Sequence, residues 1–474
     1  MTGNPVSVTH YSQAPSQPAQ GWVDHHLLGG DENGPCLAFT EPVDRRTLRV
    51  LVAARQEQFA AAGLGAGGTA ALRLPPSLGY VTSLLAAWRL GAQVSLLDHR
   101  LTPVETERAL HRLKPQVLVE DPRTGGAALR GHAEVDPVAR PLEGGLPAQS
   151  PHVLIQLSSG STGPSKVIAR TADDLIRELR CYRRLAGFPG PGERVVLLSS
   201  MVHVLGLVGG LLNSLHAGVE LVLPARVTPA GILAAVAAGD APTTVIGVPF
   251  YAELLAGVAA PPPLPQLVRM IVAGELVRPG VPAAFTERYG VPLGTMYGMT
   301  ELGVIAADLT GRLHPAVEPV DGMELRVTDG ELHIRQDQSP YLGTSEATRW
   351  SDGLLHTRDA ALLDEATGRV TVLGRRDSQV SIGGLKVDLT EVEQTLADLP
   401  GVTEAVVLFA DGAIEAYAAT SDGGTSEQLR ERLAKELAGY KLPRRLTVLT
   451  ALPRTTTGKL LRNAPALREF ADRA

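Results

Sequence analysis

A chain of 474 residues is longer than one hydrophobic core ordinarily serves, so at least two domains are expected. Hydrophobic residues make up 44% and charged residues 20%, the balance of a soluble globular protein, and a net charge of −6 disfavours nucleic acid or an anionic membrane as partner. Cys36 and Cys181 lack a C-x-x-C spacing, which argues against a disulfide framework or a cysteine zinc site and for a reducing, cytoplasmic setting.

Residues 1–20 are rich in Ser, Pro and Gln and have no apolar h-region. A disordered tail without a signal peptide is expected there. Strands are expected at 70–74, 94–97 and 117–119, with helices at 80–90 and 103–113 between them. That is the β-α-β-α-β rhythm of a parallel sheet covered by helices. The rhythm returns with a strand at 194–198, a helix at 205–215 and strands at 220–223, 245–248 and 269–272. The most apolar stretch, 195–224, holds Ser199, Ser200, His203, Asn213, His216 and Glu220, too many polar groups for a membrane span of about 20 apolar residues. Near residue 320 the pattern changes to short strands at 323–327, 331–335 and 370–373, a small antiparallel region. Beyond 374 come a helix at 389–396, strands at 405–409 and 413–418, and a helix at 427–437. The fold class is therefore α/β: a large N-terminal domain over 21–374, made of two α/β lobes and a small β region, then a small α+β domain over 378–474.

The run Leu157-Ser158-Ser159-Gly160-Ser161-Thr162-Gly163-Pro164-Ser165-Lys166 follows the apolar Val153-Leu154-Ile155. Gly160 and Gly163 allow sharp turns that bring N–H groups close to an anion. The hydroxyls and Lys166 add donors and charge, a set that suits a polyphosphate. It is not a Walker A loop, which needs Gly directly before its Lys and Ser or Thr directly after; Ser165 and Val167 stand there. From these residues alone the segment is either a phosphate cradle or a flexible polar loop.

Further segments agree with the first reading. Tyr297-Gly298-Met299-Thr300-Glu301 combines a ring face for a base, a hydroxyl for phosphate and a hard oxygen ligand for Mg2+. Asp352-Gly353-Leu354-Leu355-His356-Thr357-Arg358-Asp359 ends in an acceptor carboxylate, and Gly374-Arg375-Arg376-Asp377 follows. Pro453-Arg454-Thr455-Thr456-Thr457-Gly458-Lys459 lies in a stretch, 437–468, with seven basic and no acidic residues. Lys441, Arg444, Arg445, Arg454, Lys459, Arg462 and Arg468 are expected to make a positive field there. In this order the segments resemble the adenylate-forming superfamily of acyl- and aryl-CoA synthetases, nonribosomal peptide synthetase adenylation domains and luciferases. The chain departs from the family's Gly-x-Pro-Lys-Gly at Gly163-Pro164-Ser165-Lys166-Val167, and Arg358 replaces a glycine.

The resemblance implies ATP and Mg2+ as cofactors and a two-step reaction. A substrate carboxylate attacks the α-phosphorus of ATP, pyrophosphate leaves, and the acyl-AMP passes its acyl group to an acceptor. Ser158, Ser159, Gly160, Ser161, Thr162, Gly163 and Lys166 would hold the phosphates, and Ala273, Gly274, Glu275, Tyr297 and Gly298 the adenine side. Asp359 would take the ribose hydroxyls and Arg375 ribose or phosphate. Thr300, Glu301 and Lys459 would act at the reacting phosphate, with Glu301 and Thr162 as metal ligands. Residues 375–377 would be the hinge of a mobile C-terminal domain, and Gly383-Gly384 would line the acceptor tunnel. Amino-acid-activating relatives commonly place an Asp in the segment matching 200–207, and no acid stands there. An aryl or acyl acid is therefore expected, with His203 lining its pocket. Lys459 lies so close to residue 474 that the acceptor should come from outside, as CoA or a separate carrier protein's phosphopantetheine thiol. The alternatives are an amide synthetase, a stand-alone amino-acid or beta-amino-acid adenylation enzyme, and a non-catalytic nucleotide-binding relative.

Overall fold

The computed structural model describes residues 21–122, 131–158, 166–343, 349–421, 423–453 and 460–473. The first lobe is a six-stranded sheet in the order Val138–Pro141, Val117–Glu120, Thr69–Arg73, Gln93–Leu96, Leu154–Ser158, Lys166–Arg170. Its four central strands are parallel and its edges antiparallel. The segment expected to cradle phosphate thus connects two antiparallel neighbours, Leu154–Ser158 and Lys166–Arg170. Ser159, Gly160, Ser161, Thr162 and Gly163 lie outside the described residues.

The second lobe is a nine-stranded sheet with Leu293–Met299, Leu267–Ala273, Thr243–Gly247, Arg194–Leu197, Glu220–Val222 and Pro35–Ala38 parallel side by side. Pro35–Ala38 reaches this sheet from far upstream, a pairing that no local pattern announces. Helices Arg45–Ala61, Leu78–Arg89 and Ala172–Arg184 contribute to one hydrophobic core shared by both lobes. Helix Leu78–Arg89 buries every residue from Tyr80 to Trp88, which is why it is apolar nearly all round. Residues 205–215, expected as one α-helix, form a π-helix, Leu205–Leu212, and a short α-helix, Asn213–Ala217. The run Leu-Gly-Leu-Val-Gly-Gly-Leu-Leu has no polar face to report its period, so sequence periodicity cannot tell the two coils apart.

The small β region pairs Leu325–Thr328, Glu331–Arg335, Leu354–Leu363 and Val370–Arg375 antiparallel. Arg375 closes the last of these strands. The C-terminal domain then has its own cores, around Val392, Ala416 and Leu433 and around Val406, Tyr417 and Leu467. No helix among the described residues is long and apolar enough to cross a membrane.

Candidate active site

Parallel strands of an open α/β sheet point their carboxyl ends at one crevice, where ligands bind. Four adjacent strands of the second lobe deliver candidate residues there. Arg194–Leu197 leads to Ser199 and His203, Thr243–Gly247 to Val248, Leu267–Ala273 to Gly274 and Glu275, and Leu293–Met299 carries Tyr297 and Gly298. Asp98 and Arg100 follow strand Gln93–Leu96 of the first lobe.

Asp359, 6% exposed, is the centre of a buried network. The Tyr297 hydroxyl donates to its Oδ2 at 2.6 Å and Arg375 Nη1 to its Oδ1 at 3.2 Å. Burial and then the Asp359 carboxylate push the Tyr297 phenol far up, so it stays a donor. Arg375 also forks onto Asp377 through Nε (2.9 Å) and Nη2 (2.5 Å), and Arg349 Nη2 adds a contact to Asp377 at 2.8 Å. Arg375, assigned by resemblance to ribose or phosphate, therefore has two carboxylates as protein partners. Arg358 takes φ +62, a left-handed conformation that costs a residue with a Cβ about 1–2 kcal/mol.

Thr300 and Glu301 occupy the turn between Leu293–Met299 and Gly303–Asp308. The Tyr341 hydroxyl donates to Glu301 Oε1 at 2.8 Å, and Lys166 Nζ lies 5.9 Å from the centre of the Tyr341 ring. Tyr341 is bridged to Ile168. It thus brings Lys166 and Glu301 to one place, and nothing in its local sequence singles it out. Behind the turn, Glu178 pairs with Arg170 at 2.6 Å and accepts from Val304 N at 3.1 Å. Gly303, at φ +86, leaves room for that carboxylate, since a Cβ would lie 2.2 Å from Glu178 Cδ.

His203 is half-buried with its Nε2 shut off from solvent, and burial pulls its pKa down to about 4. Its Nε2, the Ser199 hydroxyl and Gln156 Oε1 are buried without hydrogen-bond partners among the described residues. Asp98 is engaged by Arg100 through Nε at 2.8 Å and Nη2 at 2.6 Å. Burial works against the Asp98 charge, yet the Arg100 contacts bring its pKa down to about 2.

The C-terminal domain closes over this edge with hairpin Gln379–Ile382/Leu385–Asp388. Gly384 N–H donates to Glu275 Oε1 at 2.7 Å, Ser381 Oγ to Gly274 O at 3.0 Å, and Lys386 Nζ to Gly274 O at 2.8 Å. Lys386 is exposed at the rim of the cleft, where partial loss of hydration and then the Arg375 charge lower its pKa. A second contact lies further out, where Lys441 Nζ bridges Glu105 (2.8 Å) and Glu391 (2.9 Å). The positive field expected over 437–468 needs correction. Lys441 is paired as described, Arg462 binds Glu393, and Arg468 binds Glu415 and Asp411, so acids distant in sequence offset much of it. Lys459 lies outside the described residues, and Ser158 ends the strand that leads into residues 159–165.

The profile of the family described as AMP-binding enzyme matches residues 52–340, and that of the AMP-binding enzyme C-terminal domain matches 391–459. A p-hydroxybenzoic acid–AMP ligase of Mycobacterium tuberculosis is 30% identical over 450 residues, covering 85% of this chain; the chain spans 62% of that relative's length. Among solved structures, a doubly substituted o-succinylbenzoate CoA synthetase of Bacillus subtilis with a product analogue superposes with TM-score 0.80 at 23% identity, over 95% of this chain and 98% of that one. The same synthetase with AMP gives 0.63 at 22% identity, over 94% and 97%. The amide bond synthetase of Marinactinospora thermotolerans gives 0.78 at 23% identity, over 95% and 99%. With both profiles matched in order, the chain belongs to the AMP-binding enzyme family.

Proposed function

We propose that the chain uses ATP to adenylate an aryl or acyl carboxylic acid lacking an α-amine, and then transfers the acyl group to an external thiol, of CoA or of a carrier protein. One observation carries the choice of acid. Each carboxylate near the acyl side already has a partner: Asp98 is forked by Arg100, and Glu275 accepts from Gly384. His203 is neutral at physiological pH, so it offers a hydrogen bond but no charge, and the Asp98 carboxylate beside it is already taken by Arg100. Burying a substrate ammonium there, unpaired, would cost several kcal/mol, roughly, in lost hydration. The partnerless His203 Nε2, Ser199 Oγ and Gln156 Oε1 favour an acid with a neutral polar substituent, which would satisfy them.

The chemistry is charge stabilisation and positioning. Asp359, fixed by Tyr297 and Arg375, holds the ribose; Lys166 and the hydroxyl loop hold the phosphates; Lys459 offsets charge that builds on the α-phosphate oxygens. Glu301, an acceptor-only carboxylate steadied by Tyr341, fits Mg2+, which prefers oxygen ligands and would offset phosphate charge there. For the second step, Gly384 and Lys386 docked on Gly274 and Glu275 support an arrangement in which the C-terminal domain frames an acceptor path, with the pivot at Asp377. The higher superposition score with the product-analogue complex than with the AMP complex of one synthetase favours the same reading.

The test is pyrophosphate release over a panel of acids, with matched pairs such as phenylalanine and 3-phenylpropanoic acid. Preference for the amino acid would overturn the assignment of the acid. Product analysis with CoA, a carrier protein and free amines follows, and amide as the sole product would replace thiol transfer by amide synthesis.

A further inference from the structure

On the small β region, away from the nucleotide crevice, stands a group of side chains that adenylation does not use. Strand Glu331–Arg335 carries Glu331 and His333 two residues apart, hence on one face. Its antiparallel neighbour Leu354–Leu363 places His356 opposite His333, with ring centres 4.6 Å apart and planes at 55°. The register between these strands shifts next to Arg358, and this irregularity turns Arg358 N–H onto Glu331 Oε1 at 3.0 Å. One donor atom each from Glu331, His333 and His356 lies within 4.8 Å of the other two. Thr357 and Asp359, which alternate with His356 and Arg358 along the strand, are buried on the other side.

We propose that Glu331, His333 and His356 bind a first-row transition-metal ion of the Zn2+ class on the back of the strand that carries Asp359. Two imidazole nitrogens and one carboxylate oxygen are a borderline donor set, suited to Zn2+, Co2+, Ni2+ or Cu2+ rather than to Mg2+ or Ca2+. Bonds of about 2.0–2.2 Å would bring tetrahedral donors to about 3.3 Å from one another, so the three groups must close in by rotation. His333 and His356 are half-buried and have the room to do so. Ser351 Oγ meets His356 Nε2 at 2.9 Å, the kind of outer contact that orients ligating imidazoles. Glu331 Oε2 faces Arg358 Nη1 at 3.5 Å and Arg376 Nη1 at 3.8 Å, both too long to be strong hydrogen bonds. Those two guanidinium side chains are 35% and 42% exposed, and Arg376 Nη1 has the Asp329 carbonyl as an alternative partner at 2.9 Å, so neither needs Glu331, and solvent can take the fourth position.

Tag-free full-length protein is titrated with Zn2+ by calorimetry and with Co2+ by visible absorption. One ion per chain is expected, with the intense absorption of four-coordinate Co2+. His333→Ala and His356→Ala each abolish this binding, and Ser351→Ala weakens it about tenfold. His216→Ala, in the separate cluster of His25, His26 and His216, leaves it unchanged. Circular dichroism verifies that each variant is folded, and Glu331→Gln, which keeps the side chain's shape, gives a further variant with weakened binding. Stoichiometry unchanged in both His333→Ala and His356→Ala, or no Zn2+ bound by wild type up to about 100 μM, a binding energy of about 5–6 kcal/mol, overturns the proposal.

Discussion

Replacing Gly384 by Ala should separate the two half-reactions. Gly384 has φ +81, and a Cβ there would lie 2.4 Å from Val248 Cγ1. Val248 is 6% exposed, β-branched, and sits at the start of helix Pro249–Ala256, so it has little freedom to turn away. Overpacking of this kind costs about 1–3 kcal/mol, and the left-handed backbone conformation adds about 1–2 kcal/mol for any residue with a Cβ. The two costs act in different places. The backbone term belongs to the hairpin wherever the C-terminal domain sits, whereas the Val248 clash exists only in the docked arrangement. Docking should therefore weaken by about 5–150-fold, which 1–3 kcal/mol corresponds to. Pyrophosphate exchange reads the first step, and thioester formation from purified acyl-AMP and CoA reads the second. Exchange should be nearly unchanged and thioester formation should fall by that factor, with Val248→Ala in the same chain restoring much of it. Equal loss in both steps, or no rescue by Val248→Ala, refutes the reasoning.

Gly303→Ala should lower the thermal midpoint strongly: the new methyl displaces the Glu178 carboxylate and leaves Arg170 buried without it, a loss of about 3–5 kcal/mol, and an unchanged midpoint would sink the idea. His203 has a folded pKa of about 4 against an ordinary 6.5, so the unfolded chain takes up its proton first as pH falls. Its contribution is present above pH 6.5 and is lost between 6.5 and 4, about 2 kcal/mol between pH 7 and pH 5. Denaturant midpoints at those two pH values should therefore converge in His203→Phe relative to wild type, and an identical pH dependence would show that His203 is not buried neutral. Tyr297→Phe keeps the ring but removes the 2.6 Å bond to Asp359, a charge-assisted contact worth about 1.5–3 kcal/mol. ATP binding by calorimetry should weaken and 2′-deoxy-ATP binding should weaken less; equal losses would separate Asp359 from the ribose.

What could be read in the sequence was whatever is local. The alternation of apolar runs and helical patterns located the strands near 70, 94, 117, 194, 245 and 270, because parallel strands buried on both faces are short and apolar. Helix Pro103–Leu113, expected from its pattern, begins at a capping box of Thr102 and Glu105 with Pro103 in its first turn. Pairings between distant segments were not legible. Pro35–Ala38 takes as its parallel neighbour the strand 220–222, and Tyr341 reaches Glu301 only because the chain returns beside Ile168. The basic run 437–468 misled for the same reason, since its acids, Glu105, Glu391, Glu393, Asp411 and Glu415, precede it in the chain. A window of sequence counts charge; only the fold says which charges are left over.

The way the two domains meet bears on how the enzyme can work. No hydrophobic cluster among the described residues includes members of both domains. The contact rests on hydrogen bonds at Gly274 and Glu275, the Lys441 bridge, and Arg108–Glu436 at 3.1 Å with the arginine 62% exposed. Exposed pairs of the last kind contribute about 0–1 kcal/mol each, and none of these contacts brings the area-proportional gain of apolar burial. An interface built this way separates readily and re-forms, and its exposed ion pairs weaken as salt rises. Under the proposed function, in which Lys459 serves one step and Gly384 the next, that property is needed. A large apolar seam would hold one arrangement and slow the exchange between the two steps, so the polarity of this contact is part of how both half-reactions could share one crevice.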